Sequence, residues 1–186
     1  MKEYILEVKK LFPPKFCQKI ISYFDNNYDD ALTLSDGGKV DSMNKNVRNC
    51  LTRSILNPKT FGEKLCSNAI KEKIFESVDH YKKHYNIKID KISQLDILKY
   101  ENNSYEAGYK FHQDIGLGCS DRQFSISICL NNEFMGGEFV FDLPSGHYVV
   151  SQNVGDVVMF PSNFMFPHQV NKITKGTRYA LIGWVI

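Results

Sequence analysis

The apolar positions of this chain change period once, near residue 90. Before that point they recur at helical spacing, and after it they alternate with polar residues as strands do. Residues 4–8 form a short apolar stretch that predicts an edge strand. Pro13 and Pro14 stand where a helix can begin, since proline is tolerated in a first turn. Phe16, Ile20 (or Ile21) and Phe24 follow at helical intervals and predict a helix over 14–25, ending at Asn26-Asn27 and covering the back of a sheet. A longer helix is predicted over 61–85, where Phe61, Leu65, Ala69, Ile70, Ile74, Val78, Tyr81 and Tyr85 make one continuous apolar stripe. Between them, residues 25–48 are rich in Asp, Asn, Ser and Gly, a long polar loop of the kind that either covers a site or wanders. A strand over 47–55 then carries Arg48 and Arg53, each a candidate for substrate contact.

From residue 91 the alternation predicts strands over 93–101, 109–115, 123–130, 138–142, 148–152, 157–161, 168–173 and 178–186. Turns are expected at 102–104, 131–137 and 144–146, where Asn, Gly, Pro and Ser collect, and again at 171–176. The loop over 116–122 leads out of the strand over 109–115 and is a natural place for substrate contact. At least eight short strands after two helices predict a mostly β protein with flanking α-helices, folded as an antiparallel two-sheet roll. No repeat, low-complexity tract or linker interrupts the chain, so one domain over 1–186 is expected, with helical support over 1–90 and a β core from about 91 to 186.

Composition narrows the class. The chain has 186 residues and 42% hydrophobic content, enough for a substantial core. Its 23 basic and 21 acidic residues nearly cancel, which argues against a nucleic-acid partner, since such a footprint is larger and clustered. The five cysteines are an odd number with no CxxC spacing and read as reduced, mostly buried thiols. The first residues carry charges at Lys2, Glu3, Glu7, Lys9 and Lys10 with no apolar segment, and no run approaches a membrane span. A cytoplasmic protein without a membrane partner is the expectation; the sequence is silent on oligomeric state.

The chemistry concentrates between residues 109 and 184. His112-Gln113-Asp114 on an extended strand would put an imidazole and a carboxylate on one face. His168, from a distant strand, would complete a set of two histidines and one carboxylate, which suits a non-haem Fe(II) with positions left open. A structural zinc would want a fourth ligand, commonly sulfur. Arg178 follows ten residues after His168 on a returning strand, where its guanidinium could grip a carboxylate with two parallel hydrogen bonds. The other histidines are weaker candidates. His80 and His84 have zinc spacing on a helix, but lysines precede His84 and no third ligand or glutamate base is near. His147 sits beside a hairpin turn and is expected to be exposed.

This ordered set resembles the prolyl-4-hydroxylase-like branch of the Fe(II)/2-oxoglutarate-dependent oxygenases. The resemblance rests on His112-x-Asp114, His168 and Arg178, supported by Gly136-Gly137-Glu138-Phe139, by Gly155-Asp156-Val157-Val158-Met159-Phe160-Pro161, and by Gly176-Thr177-Arg178-Tyr179-Ala180 before Trp184. It is strong over about 90–186 and extends to the N-terminal half only in general layout. It implies a double-stranded β-helix (jelly-roll, cupin-like) with the metal between its sheets. His112, Asp114 and His168 would hold Fe(II); Arg178 would hold the distal carboxylate of 2-oxoglutarate; O2 is the other co-substrate, and ascorbate a supporting reductant. Tyr109, three residues before His112, recurs in the family beside the pocket, and Tyr100 could donate its hydroxyl to 2-oxoglutarate; for both, a ring that merely fills the core is the competing reading. Trp184 would be a pocket wall or an ordinary core residue. No tyrosine occurs over 124–130, where some relatives use one for the distal carboxylate, which leaves Ser125, Ser127 or Tyr100 for that role.

The resemblance implies hydroxylation of an unactivated C–H bond, coupled to conversion of 2-oxoglutarate to succinate and CO2, with a protein or peptide side chain as the leading substrate. A free amino acid, a small metabolite or a nucleic-acid base are alternatives. Relatives that demethylate nucleic acids carry a second arginine six residues after the first, where this chain has Trp184. A non-catalytic cupin-like binding module is the alternative from another class, disfavoured by the complete ligand set.

Overall fold

A computed structural model describes residues 1–31, 44–86, 91–102, 106–116 and 119–186. Parts of three expected loops and turns (32–43, 103–104 and 117–118) lie outside the described residues. After a single 3-10 turn at Lys2–Tyr4, the elements are β1 (Leu6–Val8), α1 (Pro14–Phe24), β2 (Asp29–Asp30), β3 (Arg48–Asn49), β4 (Leu51–Ser54) and α2 (Phe61–Tyr85). They continue as β5 (Ile92–Glu101), β6 (Gly108–His112), β7 (Phe124–Cys129), β8 (Phe134–Gly136), β9 (Phe139–Leu143) and β10 (Gly146–Val150). The last are β11 (Val157–Pro161), β12 (His168–Val170) and β13 (Ile173–Val185).

The strands form two antiparallel sheets. The larger runs β1-β11-β7-β13-β5-β4-β2, with β8 added to the far end of β13; the smaller runs β10-β9-β12-β6-β3. The β core is therefore the expected double-stranded β-helix with helices on one side. The first ninety residues do more than support it, because β1 and β2 lie at the two ends of the large sheet and β3 at one end of the small one.

Both helices cover the outer face of the large sheet. On α1 the buried positions are Cys17, Ile20 and Phe24. On α2 the expected stripe is half right. Ile70, Ile74, Val78 and Tyr81 are buried, but Phe61 is 76% exposed and Leu65 55% exposed, and Cys66 takes the inward position instead. A buried ion pair turns the helix. Arg53 of β4 donates to Glu63 at 2.9 Å and to Asn26, while Thr60 caps the helix by accepting from the Glu63 N–H. With Glu63 drawn inward, the residues two before and two after it are rotated outward.

The C-terminal strand also starts earlier than predicted. Residues 173–176, expected to be a turn, belong to β13, and part of the expected turn over 131–137 is β8; the two pair with each other. Glycine allows this close approach. Gly136 and Gly176 both have positive φ, and a Cβ on either would fall within 2.2 Å of a carbonyl oxygen of the neighbouring segment.

Candidate active site

The space between the sheets holds a cavity of about 450 Å³, into which the predicted chemistry converges. His168 on β12 lies directly opposite His112 on β6 in the strand register, so the pairing itself brings the two imidazoles side by side, 4.2 Å between ring centres. Asp114 lies beyond the end of β6 rather than on it, a correction to the expected strand over 109–115. The carboxylate still reaches both rings, with its oxygens 3.6 Å from Nε2 of His112 and 3.6 Å from Nε2 of His168. One ligand atom from each of the three residues lies within 4.8 Å of the others, and no other such group of His, Cys, Asp or Glu occurs among the described residues. His80 and His84 thus stay outside any cluster. His147 is exposed, 3.4 Å from Asp142 across the β9–β10 hairpin.

The hydrogen bonds prepare these side chains as metal ligands. Nδ1 of His112 contacts the Lys110 carbonyl at 2.9 Å, and Nδ1 of His168 the Phe166 carbonyl at 3.0 Å. A carbonyl only accepts, so both Nδ1 atoms carry the proton and both Nε2 lone pairs face Asp114. Burial, reinforced by the neighbouring His112, pushes the His168 imidazole down to about 4, against the pull of Asp114. Burial acts the other way on Asp114 and favours its neutral form, but His168, His112 and the hydrogen bond from Ser125 outweigh it and hold the carboxyl well below its usual range. The result is a carboxylate beside the neutral imidazole of His168, as a divalent cation needs of its ligands.

Arg178, on β13 opposite Tyr100 of β5, is 2% exposed and lines the same cavity. Among the described residues its guanidinium has no carboxylate and no hydrogen-bond partner, only the faces of Tyr100 at 5.5 Å and Phe134 at 5.9 Å. A buried cation without an anion is costly, so this residue is suited to an acidic ligand. Gly137 makes room for it, since a Cβ there would sit 2.9 Å from Arg178 Cδ.

The two tyrosines differ. Tyr100 is fully buried beside Arg178. Tyr109 instead lays its ring on His112, with centroids 3.4 Å apart and planes 12° from parallel, and Arg48 covers its other side at 4.8 Å. Of the two arginines expected near substrate, Arg48 lines the cavity and Arg53 is turned away into its pair with Glu63. Ser125 donates to Asp114 at 2.5 Å. Trp184 lines the cavity with Arg122 stacked on its ring at 3.8 Å. Arg122 also donates to the Asp114 carbonyl and to Gln94, which donates in turn to Asp96. Sequence reading missed Arg122, Gln94 and Asp96. Asp96 had a signal, a carboxylate between the apolar Leu95 and Ile97; Arg122, in a loop, had none.

The sequence profile of the 2OG-Fe(II) oxygenase superfamily matches residues 95–186. A PKHD-type hydroxylase of Idiomarina loihiensis is 35% identical over 97 residues, which cover 50% of this chain and 42% of that relative. The chain thus spans about two fifths of that protein's length. In fold it is similar to a prolyl-4-hydroxylase of Pseudomonas putida, at 17% identity and a TM-score of 0.70, covering 97% of this chain and 91% of that one. It is also similar to a prolyl hydroxylase of Trichoplax adhaerens solved with a hypoxia inducible factor peptide fragment, at 16% identity and a TM-score of 0.75, covering 98% and 83%. Residues 95–186 thus belong to the 2OG-Fe(II) oxygenase superfamily. That superfamily uses Fe(II), 2-oxoglutarate and O2. No helix among the described residues is long and apolar enough to cross a membrane.

Proposed function

We propose that this chain is an Fe(II)- and 2-oxoglutarate-dependent oxygenase that hydroxylates an unactivated C–H bond on a protein or peptide side chain, with a prolyl residue as the first candidate. The observation that carries the proposal is the sharing of one cavity by a His-Asp-His group and a buried arginine that lacks an anion. We read residues 1–186 as one catalytic unit.

In this reading His112, Asp114 and His168 would hold the metal, the two imidazoles through Nε2 and Asp114 through its carboxylate. Arg178 receives the distal carboxylate of 2-oxoglutarate through its planar fork, and Tyr100 lies where its hydroxyl can add a hydrogen bond. Tyr109 acts through its ring, which fixes the orientation of His112, rather than through its hydroxyl. Phe139 and Phe160, stacked about His168, keep water from the ligands. When bound, the iron and co-substrate supply the oxidising power, converting 2-oxoglutarate and O2 to succinate and CO2 and placing the second oxygen atom in the substrate C–H bond. Trp184 and Arg122 border the cavity at a point where a substrate side chain can lie against them. The peptide preference draws on the peptide complex of the structurally similar Trichoplax prolyl hydroxylase.

The test is an anaerobic titration with Fe(II) and 2-oxoglutarate, followed by a succinate-release screen over proline-rich peptides, free amino acids and methylated oligonucleotides. Release stimulated by a peptide supports the proposal. Stimulation by amino acids or oligonucleotides alone would move the substrate class, and failure of the protein to bind 2-oxoglutarate with iron would end the oxygenase reading.

A further inference from the structure

The ligand atoms of this site do not all stand on the same kind of support. His112 and His168 are strand residues, whereas Asp114 lies beyond the end of β6. A carboxylate on a loop needs something rigid to hold it if it is to meet a metal in one geometry. We infer that Ser125 is the positioning residue for Asp114, and that Ser162 in turn orients Ser125. This inference rests on the reading of the triad as a metal site.

Ser125 Oγ lies 2.5 Å from Oδ2 of Asp114, and Ser162 Oγ lies 2.8 Å from Ser125 Oγ. The direction of the relay follows from proton count. A carboxylate oxygen accepts, so the single hydroxyl proton of Ser125 goes to Oδ2 of Asp114. Ser125 can then only accept from Ser162, whose proton completes the chain. All three residues are buried, at 7% exposure for Asp114, 3% for Ser125 and 1% for Ser162. Ser125 belongs to the large sheet, and Ser162 is tied to it. Ser125 sits on β7 opposite Phe160 of β11, and Ser162 directly follows that strand, its N–H donating to the Gln123 carbonyl. The relay thus ties a ligand of the small-sheet side to the framework of the opposite sheet.

Two consequences follow for the chemistry. The Ser125 hydroxyl fixes Oδ2, so the carboxylate keeps one orientation, with Oδ1 toward His112 and Oδ2 toward His168. The Ser125 hydroxyl is also committed. It is withdrawn from the distal carboxylate of the co-substrate, a role the sequence had left open to it, which leaves Tyr100 or Ser127 to assist Arg178 there.

Co(II) binding followed by visible absorption tests this, with melting of the metal-free protein measured beside it. Ser125→Ala is expected to weaken Co(II) binding on the order of 10- to 100-fold and to change the shape of the ligand-field bands, while Ser125→Thr, which keeps the hydroxyl, restores the wild-type spectrum. Ser162→Ala is expected to give a smaller loss in the same direction. If Ser125→Ala does not fold, Ser125→Cys keeps the volume with a much weaker donor and is expected to show the same loss. Wild-type affinity and an unchanged spectrum in these Ser125 variants would overturn the inference. The underlying reading fails differently: the wild-type protein would then show no Co(II) binding that His112→Ala abolishes, and the inference would fall with it.

Discussion

Along β5, Leu95 and Ile97 pack toward the helices, while Asp96, Leu98 and Tyr100 line the space between the sheets. On β7 the same alternation gives Ile126 and Ile128 to the helix side and Ser125 and Ser127 to the cavity. On β13 it separates Leu181 and Val185 from Arg178 and Trp184. Both faces of the large sheet are buried, so the difference is not one of solvent. The helix face is almost wholly aliphatic and aromatic, and a change there costs packing. The inner face buries two charges and a row of hydroxyls, each of which costs desolvation unless partnered. A fold keeps such groups where they are used, and the apolar face supplies the stability that lets it do so.

The sharpest way to separate the faces is to remove a candidate ligand. His112→Ala or Asp114→Ala is expected to abolish iron-dependent turnover of 2-oxoglutarate while the protein remains folded, as judged by circular dichroism. Turnover unchanged in either variant would remove the inner face from the chemistry altogether.

The helix side nevertheless buries one ion pair, Arg53–Glu63, among the described residues. Glu63→Gln leaves a buried guanidinium without its charge partner and is expected to cost about 3–5 kcal/mol in denaturant unfolding, with no change in co-substrate affinity. The pair also predicts a pH dependence. Burial favours the neutral form of Glu63, yet the Lys59 N–H and Arg53 overcome it and hold its carboxyl below the ordinary value. A depressed folded value means that the stabilisation is complete above the unfolded pKa of about 4.3. It declines as pH falls from there through the folded value. The stability gap between wild type and Glu63→Gln should therefore close in that range; a gap constant down to strong acid would contradict the assigned role.

A crossed pair of variants measures the two faces against each other. Ile97→Ala is expected to lose about 2–5 kcal/mol of stability and to leave the apparent KM for 2-oxoglutarate unchanged. Arg178→Ala removes the guanidinium proposed to hold the distal carboxylate and is expected to weaken 2-oxoglutarate by about 2–5 kcal/mol, read as a higher KM, with little loss of stability. If the two variants moved the same observable, the division of labour between the faces would not hold.

Much of this was legible before any coordinates. The strand alternation located the inner-facing residues because a period of two is fixed by the backbone, and the bounds of α2 were predicted to the residue. That His112, Asp114, His168 and Arg178 would meet at one cavity was legible by spacing, since a strand register turns sequence distance into adjacency. What was not legible depended on partners far along the chain. Nothing near Arg122 marks it as the residue that would reach the Asp114 carbonyl, Gln94 and the Trp184 ring. The pairing of 173–176 with β8 was hidden because glycines that permit close backbone approach look like turn residues in a sequence. Tyr109 showed the residue type but not the use, because stacking on His112 is a matter of rotamer.

The helical stripe was misread for a related reason, and it yields the smallest effect. Periodicity alone puts Phe61 and Leu65 in line with Ile70 and Ile74, but a helix has only one rotation about its axis, and the buried Glu63 sets it. Leu65 is left facing outward at 55% exposure. Leu65→Glu is therefore expected to change stability by less than about 0.5 kcal/mol, as for a surface substitution. Were Leu65 in the core, burying an unpartnered carboxylate would cost several times more. A large loss in thermal unfolding of Leu65→Glu would mean that the apolar stripe, not the ion pair, orients α2. The helix face of the sheet would then be packed differently from the arrangement that sets it apart from the cavity.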